Sequence, residues 1–122
     1  MLAQFDEEKP IYLQIAENIE DAILAGAFEE ETQVPSTTEI SVRFKINPAT
    51  ALKGVNLLVD NEILYKKRGL GMFVQEGAAE KIRSRRKVAF YDRYVQALLA
   101  EAQKLGLTKG EVISMIEGGF EQ

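Results

Sequence analysis

The chain has 122 residues and a formal net charge of −4, with 46% hydrophobic and 28% charged residues. This balance is typical of one folded domain, with or without an appendage, and excludes a disordered chain. Cysteine and histidine are both absent, which removes disulfides, thiolate nucleophiles and the commonest metal ligand and general base. We therefore expect no catalytic residues, no metal site and no cofactor, and a protein that is not an enzyme.

The beginning of the chain predicts a cytoplasmic protein. Residues 1–10, MLAQFDEEKP, lack the basic segment and the apolar run of a secretory signal. No apolar stretch approaches the roughly 20 residues needed to cross a bilayer. A membrane is therefore not expected among the partners.

The charges are distributed unevenly along the chain. Residues 1–32 carry nine acids and one base, residues 33–75 three acids and six bases, and residues 76–122 seven acids and eight bases. The middle third is thus a basic island in an acidic chain. Because a polyanion meets a local patch and not the net charge, nucleic acid remains a candidate partner.

An amphipathic first helix is predicted over residues 10–25. Pro10 suits the first turn of a helix, and isoleucines recur behind it at a spacing of three or four residues. Gly26 suits a left-handed stop. The isoleucine stripe is expected to dock this helix on a core.

Two short helices should follow. Ser36 and Glu39 form a capping box that begins the second helix, while Asn47 as cap and Pro48 as first residue begin the third. Two helices joined by a tight turn are typical of a helix-turn-helix, although any small helical bundle gives the same pattern. The inward residues are expected to be Ile40, Phe44, Ala51, Val55, Leu58 and Val59.

A basic hairpin is predicted next, in the stretch YKKRGLGMFV. Short apolar runs at 63–65 and 72–74 indicate strands, and residues 68–71 supply glycines for the turn. Alternate strand residues point in opposite directions, so Lys66 and Arg68 are expected on one side and Lys67 on the other. Beside a helix in the major groove these cations would neutralise phosphates; an ordinary solvated turn is the alternative.

From about Ala78 the pattern is helical again and ends at Gly106. Thr108 and Glu111 form a capping box for a last short helix. The apolar stripe of this tail is interpreted as a dimer surface, because a symmetric partner would cover it economically; a cofactor pocket is the alternative. The predicted dimerisation residues are Phe90, Tyr91, Tyr94, Val95, Leu98, Leu99, Leu105, Ile113 and Ile116.

The runs PIYLQI, VPS, INPAT and RGLGMFV together resemble the winged helix-turn-helix domain of GntR-family bacterial transcription regulators, over residues 10–75. The rest resembles the short two-helix dimerisation tail of the YtrA subfamily. The resemblance implies a mostly α fold with a small β-hairpin: a winged helix-turn-helix over 1–76 and a helical tail over 77–122. It also implies a homodimer that binds a palindromic DNA operator, usually as a repressor. An unidentified small-molecule effector stays open, because no residue set specifies its site.

The candidate DNA-binding residues come from the second helix, the start of the third and the hairpin tip. Some have a structural alternative: Ser36 and Asn47 are caps, Arg43 suits the helix dipole, and Thr50 suits the cap as well as a base edge. The set is Ser36, Thr38, Arg43, Asn47, Pro48, Ala49, Thr50, Lys53, Lys66, Arg68, Gly69 and Gly71.

The chain departs from the family pattern at four places. Thr38 replaces an Arg that grips DNA, and Leu70 replaces a cation at the wing tip. Glu30 and Glu31 stand where the family favours Pro and Gly. Glu62 replaces a helix-ending Gly, so Asn61 is expected to take the left-handed cap. Thr38, Leu70 and the acidic first third of the chain favour the alternative function, a winged-helix protein-interaction module with weak nonspecific DNA binding.

Overall fold

The computed structural model describes residue 5 and residues 7–122 of the chain. It confirms a mostly helical fold with one two-stranded antiparallel hairpin. The chain forms two compact units: the first ends at Ser84 and the second begins at Arg85. In chain order the elements are α1 (Ile11–Leu24), α2 (Thr37–Phe44), α3 (Pro48–Asp60), β1 (Leu64–Lys67), β2 (Gly71–Val74), α4 (Ala78–Phe90), a π-helix (Tyr91–Val95), α5 (Gln96–Lys104) and α6 (Lys109–Phe120).

The helix starts follow the predicted caps. The Ser36 hydroxyl accepts the Glu39 N–H, and the Glu39 carboxylate accepts the Ser36 N–H, both at 3.1 Å. The Asn47 side chain accepts the Ala49 N–H at 2.7 Å, one residue after Pro48 begins α3. A second capping box begins α6 at Thr108. These contacts confirm the predicted caps. The caps could be predicted from the sequence because a cap depends only on neighbouring residues.

The core of the first unit lies between α1, α2, α3 and the hairpin. Gly54 lets α1 and α3 approach closely, since a Cβ there would lie 2.8 Å from the Tyr12 carbonyl oxygen. Ala78 and Ile82, at the start of α4, are also fully buried in this core. The first unit therefore extends to Ser84, beyond the boundary expected at residue 76. Its largest fully buried side chains include Ile15, Ile19, Ile40, Leu58, Ile63 and Leu64.

The hairpin pairs Leu64 with Val74 and Lys67 with Gly71, so its strands reach nearer the tip than predicted. The Leu70 N–H donates to the Lys67 carbonyl at 2.9 Å, and Gly69 has a φ of 82°. This matches a type II turn, whose third residue needs a positive φ. Residues 31–34 run beside β2 and exchange backbone hydrogen bonds with it, and Gln33 forms an isolated β-bridge with Phe73.

The end of α3 corrects one prediction: Glu62 takes the left-handed conformation with a φ of 59°, whereas Asn61 has a φ of −87°. The Ile63 N–H donates to Leu58 at 2.9 Å and the Glu62 N–H to Val59 at 3.0 Å. These two bonds form a Schellman motif, which requires the left-handed residue one place after the cap. The hydrogen-bond pattern at the end of α3, and not the type of side chain, therefore determines which residue adopts the left-handed conformation.

The second unit, from Arg85 onward, consists of the end of α4, the π-helix, α5 and α6. Gly106 ends α5 as predicted, with a φ of 69°. Within residues 85–122 only Ala102 is buried. No helix in the described part of the chain combines the length and apolarity needed to span a bilayer.

Candidate nucleic-acid interface

The candidate DNA-binding residues all lie in the first unit, and nearly all are exposed. Thr50 and Gly71 are half-buried, and the other ten are exposed. They occupy the two ends of α2, the first turns of α3 and the tip of the hairpin. Long side chains from these elements are therefore available to a ligand.

The turn between α2 and α3 spans residues 45–47. Lys45 ends α2 in the left-handed conformation, with a φ of 55°. The N–H groups of Ala49 and Thr50 both donate to Asn47, at 2.7 and 3.0 Å. The first turn of α3 thus uses these donors in its own cap. A ligand at this helix start would meet the side chains of Ala49 and Thr50.

Lys53 lies on α3 against α1. Its ammonium nitrogen is 4.1 Å from the centroid of the Tyr12 ring, a cation–π contact. Lys53 remains exposed and Tyr12 is half-buried. Tyr12 was not among the residues predicted from sequence, because nothing in the spacing of α1 indicates which of its residues faces α3.

The two lysines of the hairpin point to opposite sides. The pairing register puts Lys66 in one row with the buried Leu64 and Val74. Lys67 lies on the other face, where its ammonium nitrogen is 4.3 Å from the centroid of the Phe73 ring. Lys67 is therefore packed on the hairpin, while Lys66 extends beyond the core at the tip.

The outer face of the hairpin is tied to the segment before α2. The Tyr65 hydroxyl donates to the Glu31 carboxylate at 2.8 Å, and this bond raises the pKa of Tyr65. Glu31 itself has a φ of 67°, at a position where the resemblance expects Gly. The Gln33 amide donates to the Leu70 carbonyl at 2.7 Å. Gln33 was not predicted from sequence, since its partner lies 37 residues away.

The two departures that bear on binding are both at the surface. Thr38 is exposed in the first turn of α2, and Leu70 is 64% exposed at the hairpin tip. Each thus offers a neutral side chain where the resemblance expects a cation. Among the candidate residues, Arg43, Lys53, Lys66 and Arg68 carry a positive charge and are all exposed.

Comparisons with known proteins assign the chain to a family. The family model described as "Bacterial regulatory proteins, gntR family" matches residues 11–74. The chain is 31% identical over 120 residues to the HTH-type transcriptional regulator YhcF of Bacillus subtilis, covering 95% of this chain and 98% of YhcF.

Solved structures agree with this assignment. A GntR-family protein from Bacteroides thetaiotaomicron is 37% identical with a TM-score of 0.72, over 91% of this chain and 96% of that one. The DNA-binding domain of AraR, in complex with operator ORX1, is 28% identical with a TM-score of 0.53, over 61% of this chain and 90% of that one. The chain belongs to the gntR family of bacterial regulatory proteins, and it is a DNA-binding transcriptional regulator and not an enzyme.

Proposed function

We propose that this regulator is a homodimeric repressor that binds a near-palindromic operator. One observation carries the proposal: the first unit presents a helix-turn-helix and a cationic hairpin, while the second unit leaves its apolar stripe uncovered. The first unit supplies DNA recognition, and the second supplies the contact between two copies.

In this proposal α3 lies in the major groove and the hairpin is a wing beside it. Thr50 contacts a base edge or phosphate, and Ala49 offers a methyl contact to thymine. Lys66 and Arg68 neutralise phosphates, while Lys67 stays on Phe73. Specificity therefore comes from α3, and the wing adds affinity that depends on salt.

The exposed apolar side chains of the second unit support a dimer contact there. Its aromatic residues Phe90, Tyr91 and Tyr94 are each more than half exposed. Between α5 and α6 an apolar groove is lined by residues including Leu98, Leu99, Ile113 and Ile116. A unit that buries only Ala102 gains little from apolar burial to offset the entropy of ordering its helices, which supports a partner surface in the second copy.

The two-helix tail supports the finer assignment to the YtrA-like subfamily. YhcF aligns over nearly its whole length, so this relative has no room for a large ligand-binding domain. We place the protein in the cytoplasm, with its operator, and leave an effector open. Two-fold symmetry then sets the half-sites about one helical turn, roughly 34–36 Å, apart.

Selection of binding sites from a random duplex library, at near-physiological salt, tests the proposal, with the complex sized in parallel. An inverted repeat bound by two copies is expected. Lys66→Ala with Arg68→Ala should weaken binding to every sequence and flatten the salt dependence by roughly 0.9 for each phosphate that is no longer neutralised. Thr50→Ala should change the selected sequence.

Two outcomes would contradict the proposal. If both variants bind as the parent does, the assigned DNA face is wrong. If the dimer enriches no site and its binding disappears by physiological salt, the result favours the protein-interaction module, because electrostatics alone produces such binding.

A further inference from the structure

The side chain of Gln33 reaches from the segment before α2 to the tip of the wing. Its amide nitrogen donates to the Leu70 carbonyl at 2.7 Å. The backbone of Gln33 forms a β-bridge with Phe73, which brings residue 33 beside β2. A residue outside both the helix-turn-helix and the hairpin therefore contacts the wing loop directly.

Gly71 provides the space for this contact. A Cβ at residue 71 would lie 2.6 Å from the Gln33 amide nitrogen, so the Gln33 side chain would have to move away from its present position. The glycine also has a φ of 130°, a conformation that other residues rarely adopt. The amide is thus seated against the wing backbone, where a larger residue would displace it.

The wing loop contains two glycines, so hydrogen bonds to its backbone restrict its conformation. Gly69 and Gly71 flank Leu70, and glycine has the largest conformational freedom to lose on ordering. Inside the loop, the Leu70 N–H donates to the Lys67 carbonyl at 2.9 Å. The Gln33 amide binds the carbonyl of the same residue, Leu70. Leu70 is consequently held through both of its backbone polar groups.

We propose that Gln33 is a positioning residue for DNA binding, which presets the wing so that Lys66 and Arg68 meet phosphates together. This inference rests on the proposed function of the wing. A loop ordered before binding loses less conformational entropy when it binds. Gln33 also lies three residues before the Ser36 cap, so the wing and the start of α2 share one anchor.

The replacement Gln33→Met tests the inference, since methionine keeps the length of the side chain but cannot donate. Binding is measured by fluorescence anisotropy on a duplex of the selected site, or on a mixed-sequence duplex if none is enriched. The loss of one hydrogen bond should weaken binding by about three- to tenfold. The salt dependence should become shallower, by up to roughly 0.9 for each phosphate that the wing no longer neutralises.

A matched control is Gln75→Met, because Gln75 is half-buried next to β2 and its side-chain amide makes no hydrogen bond within the described residues, whereas its backbone N–H donates to Ile63 in both variants. This variant should bind as the parent does. Circular dichroism at the assay temperature checks that the helices of each variant are folded. Gln33→Ala, measured beside them, gives a second way to remove the donor.

Combination with Lys66→Ala and Arg68→Ala separates positioning from a general structural role. In the variant that lacks these two cations, Gln33→Met should cause no further loss of DNA affinity, because the side chains that Gln33 positions are gone. An equal loss in both backgrounds, or no loss in the parent, would overturn the inference alone. If the double alanine variant itself binds as the parent does, the proposed DNA face fails and the inference fails with it.

Discussion

Thr38 lies in the proposed DNA face, at a position where the resemblance expects an Arg. It is exposed in the first turn of α2. We predict that Thr38→Arg binds the selected duplex about tenfold more tightly, since a charged hydrogen bond contributes about 1.5–3 kcal/mol before the cost of ordering the side chain. Anisotropy titrations at several salt concentrations should show a slope steeper by roughly 0.9.

Thr38→Gln is the control for this substitution, because it adds length without charge and should bind nearly as the parent does. Equal affinities for the arginine variant and the parent would show that the start of α2 lies away from the phosphates.

Glu39 makes the second helix sensitive to acid. The Ser36 N–H that donates to its carboxylate lowers the pKa of Glu39, with smaller help from the Ser36 hydroxyl and from Arg43. A lowered folded pKa means that the stabilisation is present above the ordinary pKa of about 4.5 and is lost as the pH falls through the folded value.

Glu39→Gln should therefore unfold more easily than the parent at neutral pH, and the difference should shrink as the pH falls below about 4.5. Urea unfolding at a series of pH values measures it. A difference that stays constant with pH would contradict the role of the ionised carboxylate in the cap.

The residues that could be identified well from the sequence are those whose partners are close in the chain. Ser36 with Glu39, and Asn47 with Ala49, are separated by two or three residues, so their types and spacing suffice. The contact of Gln33 with Leu70 and that of Lys53 with Tyr12 depend on the folded chain. No local pattern indicates them.

At the level of elements, the end of α3 shows a backbone requirement that overrides residue type. Sequence favours Asn61 for the left-handed conformation, since Asn adopts it more readily than Glu. The Schellman bonds nevertheless place Glu62 there, with a φ of 59°. Glu62 keeps this strained conformation because the two backbone hydrogen bonds end α3 there and lead the chain into β1.

Relief of this strain is measurable by comparing Glu62→Gly with Glu62→Ala. Both remove the exposed ion pair of Glu62 with Lys81, at 3.2 Å, which contributes little. Only glycine accepts the positive φ without cost, so the glycine variant should be about 1 kcal/mol more stable than the alanine variant. Chemical unfolding of the two should give different midpoints; equal midpoints would contradict the strain.

At the scale of the whole molecule, the proposed dimer depends on the exposed apolar residues of the second unit. Leu98 lies in the apolar groove between α5 and α6 and is 41% exposed in the single chain. We predict that Leu98→Glu dissociates the dimer, because an unpaired charge in an apolar interface costs several kcal/mol. Sedimentation analysis should show monomers, and operator binding should weaken.

Val88→Glu is the matched control, since Val88 is 85% exposed on α4 and lies before the predicted stripe. It should remain dimeric. A Leu98→Glu protein that still sediments as a dimer would place the contact between copies elsewhere.

The π-helix from Tyr91 to Val95 has a consequence for the length of the tail. Its hydrogen bonds span five residues where an α-helix spans four, so this turn holds one extra residue. Loss of Asp92 would convert it to an α-turn and leave Phe90 and Leu98 seven residues apart, on one helix face. Loss of a residue within α5 would instead rotate everything after it by about 100°. Deletion of Asp92 alone should thus be tolerated and leave the chain dimeric in sedimentation analysis, because the apolar residues on either side of the π-helix stay on one face.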